Sequence, residues 1–314
     1  MAKTLNIRIG AAFPATEISS DRGQVRAFVE AVGDLGFDHI LALDHVLGAY
    51  PPAHPEGPAL QPLPGTSGWE NIYDYQTTFH EPFVLFGFVA ALTELEMFTG
   101  VLILPQRQTA LVAKQAAQVD ILSGGKLRLG VGIGWNNVEY EGLGKSFTNR
   151  GRRIEEQVRL LRELWTHEVV TFEGEYESVV GAAIAPLPVQ RPIPIWMGSG
   201  YRGPALERAG RIADGWLAQT RPGPDLEQAL ETLFDAATKA GRDPADLGIH
   251  GGLNAGRPDQ ERIAKHAAGW KASGATHISL GTSNVGLPDV DAHIAALARA
   301  IETVRGELGE AATP

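Results

Sequence analysis

The chain has 314 residues, 44% of them hydrophobic and 20% charged, with a formal net charge of -10. That length supports a large core in one or two domains, and the acidic balance argues against nucleic acid as a partner. With no cysteine, disulfides and thiolate metal sites are excluded, and a reducing compartment suits the chain.

The first residues, MAKTLNIRIG, lack an apolar signal core, and no run approaches about 18 apolar residues. The expectation is a soluble cytoplasmic protein with no membrane partner. Residues 5–13 alternate into an apolar run and predict a first strand. A helix is expected over 21–35, where Val25, Phe28, Val29, Val32 and Leu35 recur at helical spacing, with Gly36 as its stop signal. Residues 37–43, FDHILAL, predict a strand buried on both faces, as in a parallel sheet. Asp44 and His45 follow it directly. An acid and a group that ionises near neutrality, at the C-terminal end of a buried strand, stand where strand–helix barrels do their chemistry. The other reading is a surface pair or a turn cap.

Regular patterning stops over 46–81. This segment is rich in Pro and Gly and carries Trp69, Tyr73, Tyr75 and Phe79. A loop of such length is functional or disordered, and its aromatics favour a partly ordered lid over a floppy insertion. His54 and His80 read as loop histidines rather than ligands. Pro82 opens a helix over 82–94. A third strand, 97–104, ends at Pro105-Gln106-Arg107, and a helix over 109–122 stops at Ser123-Gly124-Gly125. In the fourth strand, KLRLGVGIG (126–134), Leu127, Leu129, Val131 and Ile133 alternate with Arg128 and glycines. Glycines at a strand end allow a sharp turn and close approach of a ligand. Trp135, Asn136 and Asn137 then read as the exposed lip of a pocket, or as a core tryptophan after a plain turn.

An amphipathic helix over 149–165 carries Ile154, Val158, Leu161, Leu164 and Trp165 on one side. A hairpin insertion is expected over about 168–190, turning at Glu173-Gly174-Glu175, and a Pro-rich approach leads into a fifth strand at 195–197. Gly198-Ser199-Gly200 connects that strand to a helix beginning at Pro204, with Arg202 nearby. Outward backbone N–H groups and the helix dipole there suit a phosphate; a plain turn is the alternative. Strands at 213–217, 247–251 and 277–280 alternate with helices at 226–240, 259–273 and 290–308. Eight strand–helix units predict an α/β fold, a (β/α)8 TIM barrel over 1–314 as one domain. There is no zinc motif, no Gly-x-Ser-x-Gly elbow and no full dinucleotide fingerprint. In a barrel, Asp44-His45, Gly134-Trp135-Asn136 and Gly198-Ser199-Gly200 share one rim.

The blocks GVGIGWNNVEYEGLGKSFTNRGRRIEEQVRLLRELW (131–165), RPIPIWMGSG (191–200) and RIADGW (211–216) resemble the bacterial luciferase-like monooxygenases, in the branch that uses the deazaflavin coenzyme F420. The resemblance runs from Ile7 to about Val304. It implies an eight-stranded barrel with a flavin or deazaflavin ring at the C-terminal rim. By the same resemblance a strand-three bulge, in this family often with a non-proline cis peptide, is expected at Gly100-Val101 behind the ring. The family's phosphate seat maps to Gly198, Ser199 and Gly200, with Tyr201 and Arg202 beside them. His45 is the expected proton donor or acceptor, since histidine ordinarily titrates near about 6.5. Asp44 orients it or holds the turn. Trp135 walls the substrate side, Gly134 and Asn136 meet the cofactor, and Arg107 or Arg202 meets phosphate or the coenzyme tail. Sugar-phosphate dehydrogenases of this branch carry a catalytic glutamate where this chain has Trp135, which argues against glucose-6-phosphate oxidation. The activity implied is hydride transfer between coenzyme F420 and a small organic substrate. One alternative is an FMN-dependent two-component monooxygenase, and another a non-catalytic flavin-binding or deazaflavin-binding protein. A homodimer and a separate flavin or deazaflavin reductase complete the expected partners.

Overall fold

A computed structural model describes residues 6–18, 21–55 and 73–309. In chain order the elements are β1 (Arg8–Ala12), α1 (Arg22–Asp34), β2 (His39–Ala42), α2 (Pro82–Ala90), β3 (Glu96–Thr99), β4 (Leu102–Ile103), α3 (Thr109–Leu122), β5 (Leu127–Gly132), α4 (Asn137–Gly142) and α5 (Arg150–Thr166). They continue as β6 (Val170–Glu173), β7 (Ser178–Ala182), β8 (Ile195–Ser199), α6 (Pro204–Ile212), β9 (Gly215–Ala218), α7 (Pro224–Lys239), β10 (Gly248–Asn254), α8 (Gln260–Ala272), β11 (His277–Gly281) and α9 (Val290–Leu308).

The large sheet runs β3-β2-β1-β11-β10-β9-β8-β5-β4, and a β3–β5 pairing closes it. Every one of its ladders is parallel. The result is a closed eight-strand barrel, with β3 and β4 as two pieces of one strand. The chain turns between them at a cis peptide joining Gly100 to Val101. The third strand expected at 97–104 is therefore interrupted at its middle. Among the described residues, no helix is long and apolar enough to cross a membrane.

The amphipathic helices form because their apolar residues repeat with the helical period, and α1, α2, α4, α8 and α9 also carry a side-chain cap on the first turn. In α1, Val25, Phe28, Val29 and Val32 are buried, and Asp21 accepts from the N–H groups of Gly23 and Gln24. Each fully buried side chain of this kind contributes about 1.5–3 kcal/mol. Trp165, Trp216 and Trp270 are fully buried, and each indole N–H has an acceptor: Ala113 O, Ser199 Oγ and Gly252 O. A buried N–H without an acceptor would cost a full desolvation penalty.

The barrel interior is polar in its lower half, which the apolar reading of 37–43 did not anticipate. His39, His250 and His277 are buried there around Phe98 and Trp196. Arg128 bonds Glu96 at 2.6 Å and lies 4.7 Å from the Trp196 ring centre. The antiparallel hairpin β6–β7 sits apart from the barrel sheet. The expected lid is pinned near both ends by a bridge between Ala49 and Asp74; its stretch 56–72, Trp69 included, lies outside the described residues.

Candidate active site

The C-terminal ends of β2, β4, β5 and β8 surround a cavity of about 390 Å³. Asp44, His45, Gly100, Val101, Gly134, Trp135, Gly198, Ser199 and Gly200 all line it. These residues come from four separate strand ends, and parallel closure of the barrel is what brings them together. The backbones approach closely at this corner. A Cβ on Gly132 or Gly198 would come within 2.5 or 2.6 Å of the Val101 side chain.

His45 stands between the cavity and the lid. Its ring packs against Phe79, Tyr73 and Trp135, with centroids 4.7, 4.9 and 5.6 Å away. Trp135 is half-buried in this cluster, not the exposed lip expected from sequence. On the other side, His45 Nδ1 lies 3.4 Å from the Glu139 carboxylate. Glu139 is buried on α4 and also accepts from the Val46 N–H, the Leu47 N–H (3.2 Å) and Gln106 Nε2 (3.1 Å). Burial pushes its carboxyl up, but hydrogen bonds from His45, Val46 and Gln106 outweigh that and hold it below its ordinary range.

The local sequence explains how Glu139 gets there. Gly134 takes a positive φ of 62° that turns the chain out of β5. Asn136 then caps α4, accepting from the N–H groups of Val138 (3.2 Å) and Glu139 (3.4 Å). Its amide nitrogen donates to Leu47 O at 3.4 Å. Asn136 is thus committed to building the turn and faces the neighbouring lid cavity, where sequence pointed to a cofactor contact.

Asp44 is held by partners other than His45. Arg107 donates to it from Nη2 (2.7 Å) and Nε (3.3 Å), and the Ile103 N–H from 2.9 Å. Burial pushes the Asp44 carboxyl above its ordinary range, with Arg107 and Ile103 opposing. Arg107 also reaches Glu81 at 2.9 Å, so its guanidinium braces the rim. Ser199 is buried too: its hydroxyl accepts from Trp216 Nε1 at 2.9 Å and donates to Gly200 O at 3.1 Å. Arg202 is exposed, paired with Asp225 at 3.0 Å and 4.7 Å from the Tyr201 ring centre. Neither Tyr201 nor Arg202 lines the cavity.

Sequence reasoning passed over Glu139, Gln106 and Gln219 as site residues. One signal was available: Asn136 followed three residues later by Glu139 is a helix-start spacing, and it would have marked α4. Among the described residues no cluster could hold a metal ion.

A family model for luciferase-like monooxygenases matches residues 6–308. An uncharacterised protein of Mycobacterium tuberculosis is 38% identical over 165 residues, 52% of this chain and 56% of that one. An F420-dependent glucose-6-phosphate dehydrogenase of Gordonia bronchialis is 38% identical over 141 residues, 43% of this chain and 41% of that one. The chain spans about half the length of these two curated relatives. Among solved structures, an F420-dependent secondary alcohol dehydrogenase, determined with an F420-acetone adduct, aligns with a TM-score of 0.72 at 19% identity, over 95% of this chain and 99% of that one. A monooxygenase from Streptomyces bottropensis aligns at 0.69 and 19%, over 96% and 98%. At such identities the likeness is one of fold.

Proposed function

The chain belongs to the luciferase-like monooxygenase family, and from that premise we propose that it is an oxidoreductase transferring a hydride between coenzyme F420 and a small organic substrate. The observation that carries the reading is the convergence of a carboxylate-held histidine, an aromatic wall and a glycine-lined strand end on one cavity.

The walls suit a flat, phosphate-bearing ring. Leu43, Val101 and Ile133 supply apolar surface. A Cβ on Gly200 would meet nothing within 4 Å, so the backbone there borders open space. Gly203 gives the first turn of α6 no side-chain cap; Pro204 has no N–H and the Leu206 N–H donates to Gly203 O at 3.0 Å, so the N–H of Ala205, a residue lining the cavity, is the one left for an anion. In this reading Gly100 and Val101 back the ring, while Gly198, Ser199 and Gly200 hold phosphate through the backbone. Bound there, the coenzyme supplies the carbon that gives or takes the hydride. Glu139 fixes the Nδ1 side of His45, so Nε2 is the nitrogen that holds or moves the substrate proton. Trp135, Tyr73 and Phe79 keep water from that nitrogen. Asp44, paired with Arg107, holds the turn.

Support for F420 over FMN comes from the F420-dependent relatives and neighbours; the monooxygenase neighbour supports the FMN reading. Fluorescence titration of the purified protein with each cofactor separates the two. The expected result is tight F420 binding, weak FMN binding and no oxygen uptake on adding reduced FMN. His45→Ala should bind F420 within about threefold of wild type, and single-turnover oxidation of small alcohols should slow by about 100-fold or more. An unchanged rate would remove His45 from the chemistry. A homodimer and a separate reductase that reloads the cofactor belong to the same proposal; light scattering tests the dimer.

A further inference from the structure

Beside the His45 cavity lies a second cleft of about 360 Å³, which shares Leu43, Gly100, Val101 and Gln219 with it. Its walls are largely apolar, with Phe13, Leu41, Leu217 and Leu253 among them. Two buried polar residues, His250 and Ser279, belong to its lining. Ser279 Oγ lies 2.9 Å from His39 Nε2 and 2.8 Å from His250 Nε2. Further out the polar groups are amides and hydroxyls: Gln219, Asn254, Ser283 and Asn284. Among the described lining residues there is no Asp, Glu, Lys or Arg. A charged ligand would be desolvated there without a counter-charge, which is heavily penalised.

We propose that this cleft binds an uncharged, mainly apolar molecule whose hydroxyl or carbonyl oxygen is hydrogen-bonded at the His250–Ser279 end. His45, the proposed proton carrier, does not line this cleft, so the assignment is of a binding site and stands apart from the redox chemistry proposed above. The bridging hydroxyl suits both members of an alcohol–ketone pair. With both imidazoles carrying their proton on Nε2, Ser279 accepts twice and its O–H can donate to a carbonyl. With one imidazole protonated on Nδ1 instead, Ser279 donates to that ring and can accept from a substrate hydroxyl. Burial, helped by Arg128, holds the His250 pKa down to about 3. The ring is therefore neutral throughout the neutral range, and recognition should not change between roughly pH 5 and 9.

Gly252 offers a clean block. It pairs with Ser279 across the β10–β11 ladder, and a Cβ there would meet nothing within 4 Å. A β-branched residue suits a strand, so Gly252→Val adds bulk at the cleft wall with a Cβ that displaces no neighbour. Dissociation constants would be measured by ligand-observed NMR titration with cyclohexanone, cyclohexanol and cyclohexanecarboxylate. F420 and FMN would be titrated by fluorescence on the same preparations. For wild type, ketone and alcohol should bind within about fivefold of each other and at least about tenfold more tightly than the carboxylate. Gly252→Val should weaken ketone and alcohol by at least about tenfold and leave cofactor affinity within about threefold. Ser279→Ala should weaken both neutral ligands and, if folded, leave the carboxylate unchanged. Carboxylate binding as tight as the ketone, or an unchanged ketone constant in Gly252→Val, would overturn the inference. So would loss of cofactor binding in Gly252→Val, which would give the cleft to the cofactor. A wild-type protein that binds neither F420 nor FMN sinks the proposed function, while the ketone and carboxylate arms still decide the chemistry of the cleft.

Discussion

Glu139 orders the active corner more than any other single side chain, because one buried carboxylate accepts from His45, Val46, Leu47 and Gln106 together. Glu139→Gln keeps the shape and removes the charge. It should lower stability by about 1–3 kcal/mol in urea melts and slow single-turnover chemistry by roughly tenfold or more. Under the proposed function, F420 affinity should stay nearly unchanged, since Glu139 does not line the cavity. Arg107→Leu is a sharper test of the brace. It leaves the buried Asp44 carboxylate without its cation, and breaking such a pair costs about 3–5 kcal/mol. The double variant Arg107→Leu/Asp44→Leu should recover part of that loss in the same melts; no recovery would show that the pair is not the source. Asp44 and His45 were legible in the sequence because they sit at the end of an apolar strand. Their partners were not: Arg107 is 63 positions from Asp44 and Glu139 is 94 from His45.

At the scale of elements, the hairpin β6–β7 is latched to α5 by Glu156. Its carboxylate accepts from the N–H groups of Glu175, Tyr176 and Glu177 at 2.9, 2.8 and 2.5 Å. Arg153 pairs with Glu177 at 2.8 Å beside it. Glu156→Ala should speed hydrogen exchange of the 175–177 amides by about tenfold or more, while the β5 amides keep wild-type protection. Equal acceleration in both would mean that the hairpin and the barrel open as one unit. The long helices were readable from their repeats, as in α1 and α5. The six-residue α4 was not, since less than two turns leaves too little period to see. The break between β3 and β4 was expected only through family resemblance; an apolar run such as MFTGVLIL carries no periodic mark of where its ladder stops.

For the whole molecule, the buried histidines inside the barrel tie stability to acidity. Burial is the main cause that holds His39, His250 and His277 well below the usual imidazole range, His250 to about 3. Below about pH 6.5 the unfolded chain takes up protons at these positions and the folded chain does not. Their contribution is therefore complete above that pH and is lost as pH falls toward the folded values. Stability should drop by a few kcal/mol between about pH 6.5 and 5, read as a falling urea midpoint; a flat midpoint would show that the barrel interior takes up protons without unfolding. From the sequence alone came the eight strand–helix units, the barrel they close into and the rim positions 44–45, 134–135 and 198–200, because period and glycine placement are local properties of a chain. Only the tertiary structure decided that Glu139 holds His45, that Asp44 and Asn136 serve the scaffold, and that an uncharged cleft floored by histidine and serine adjoins the site. Those facts depend on which side chains meet across closed parallel strands, and residues far apart in a chain meet only once it has folded.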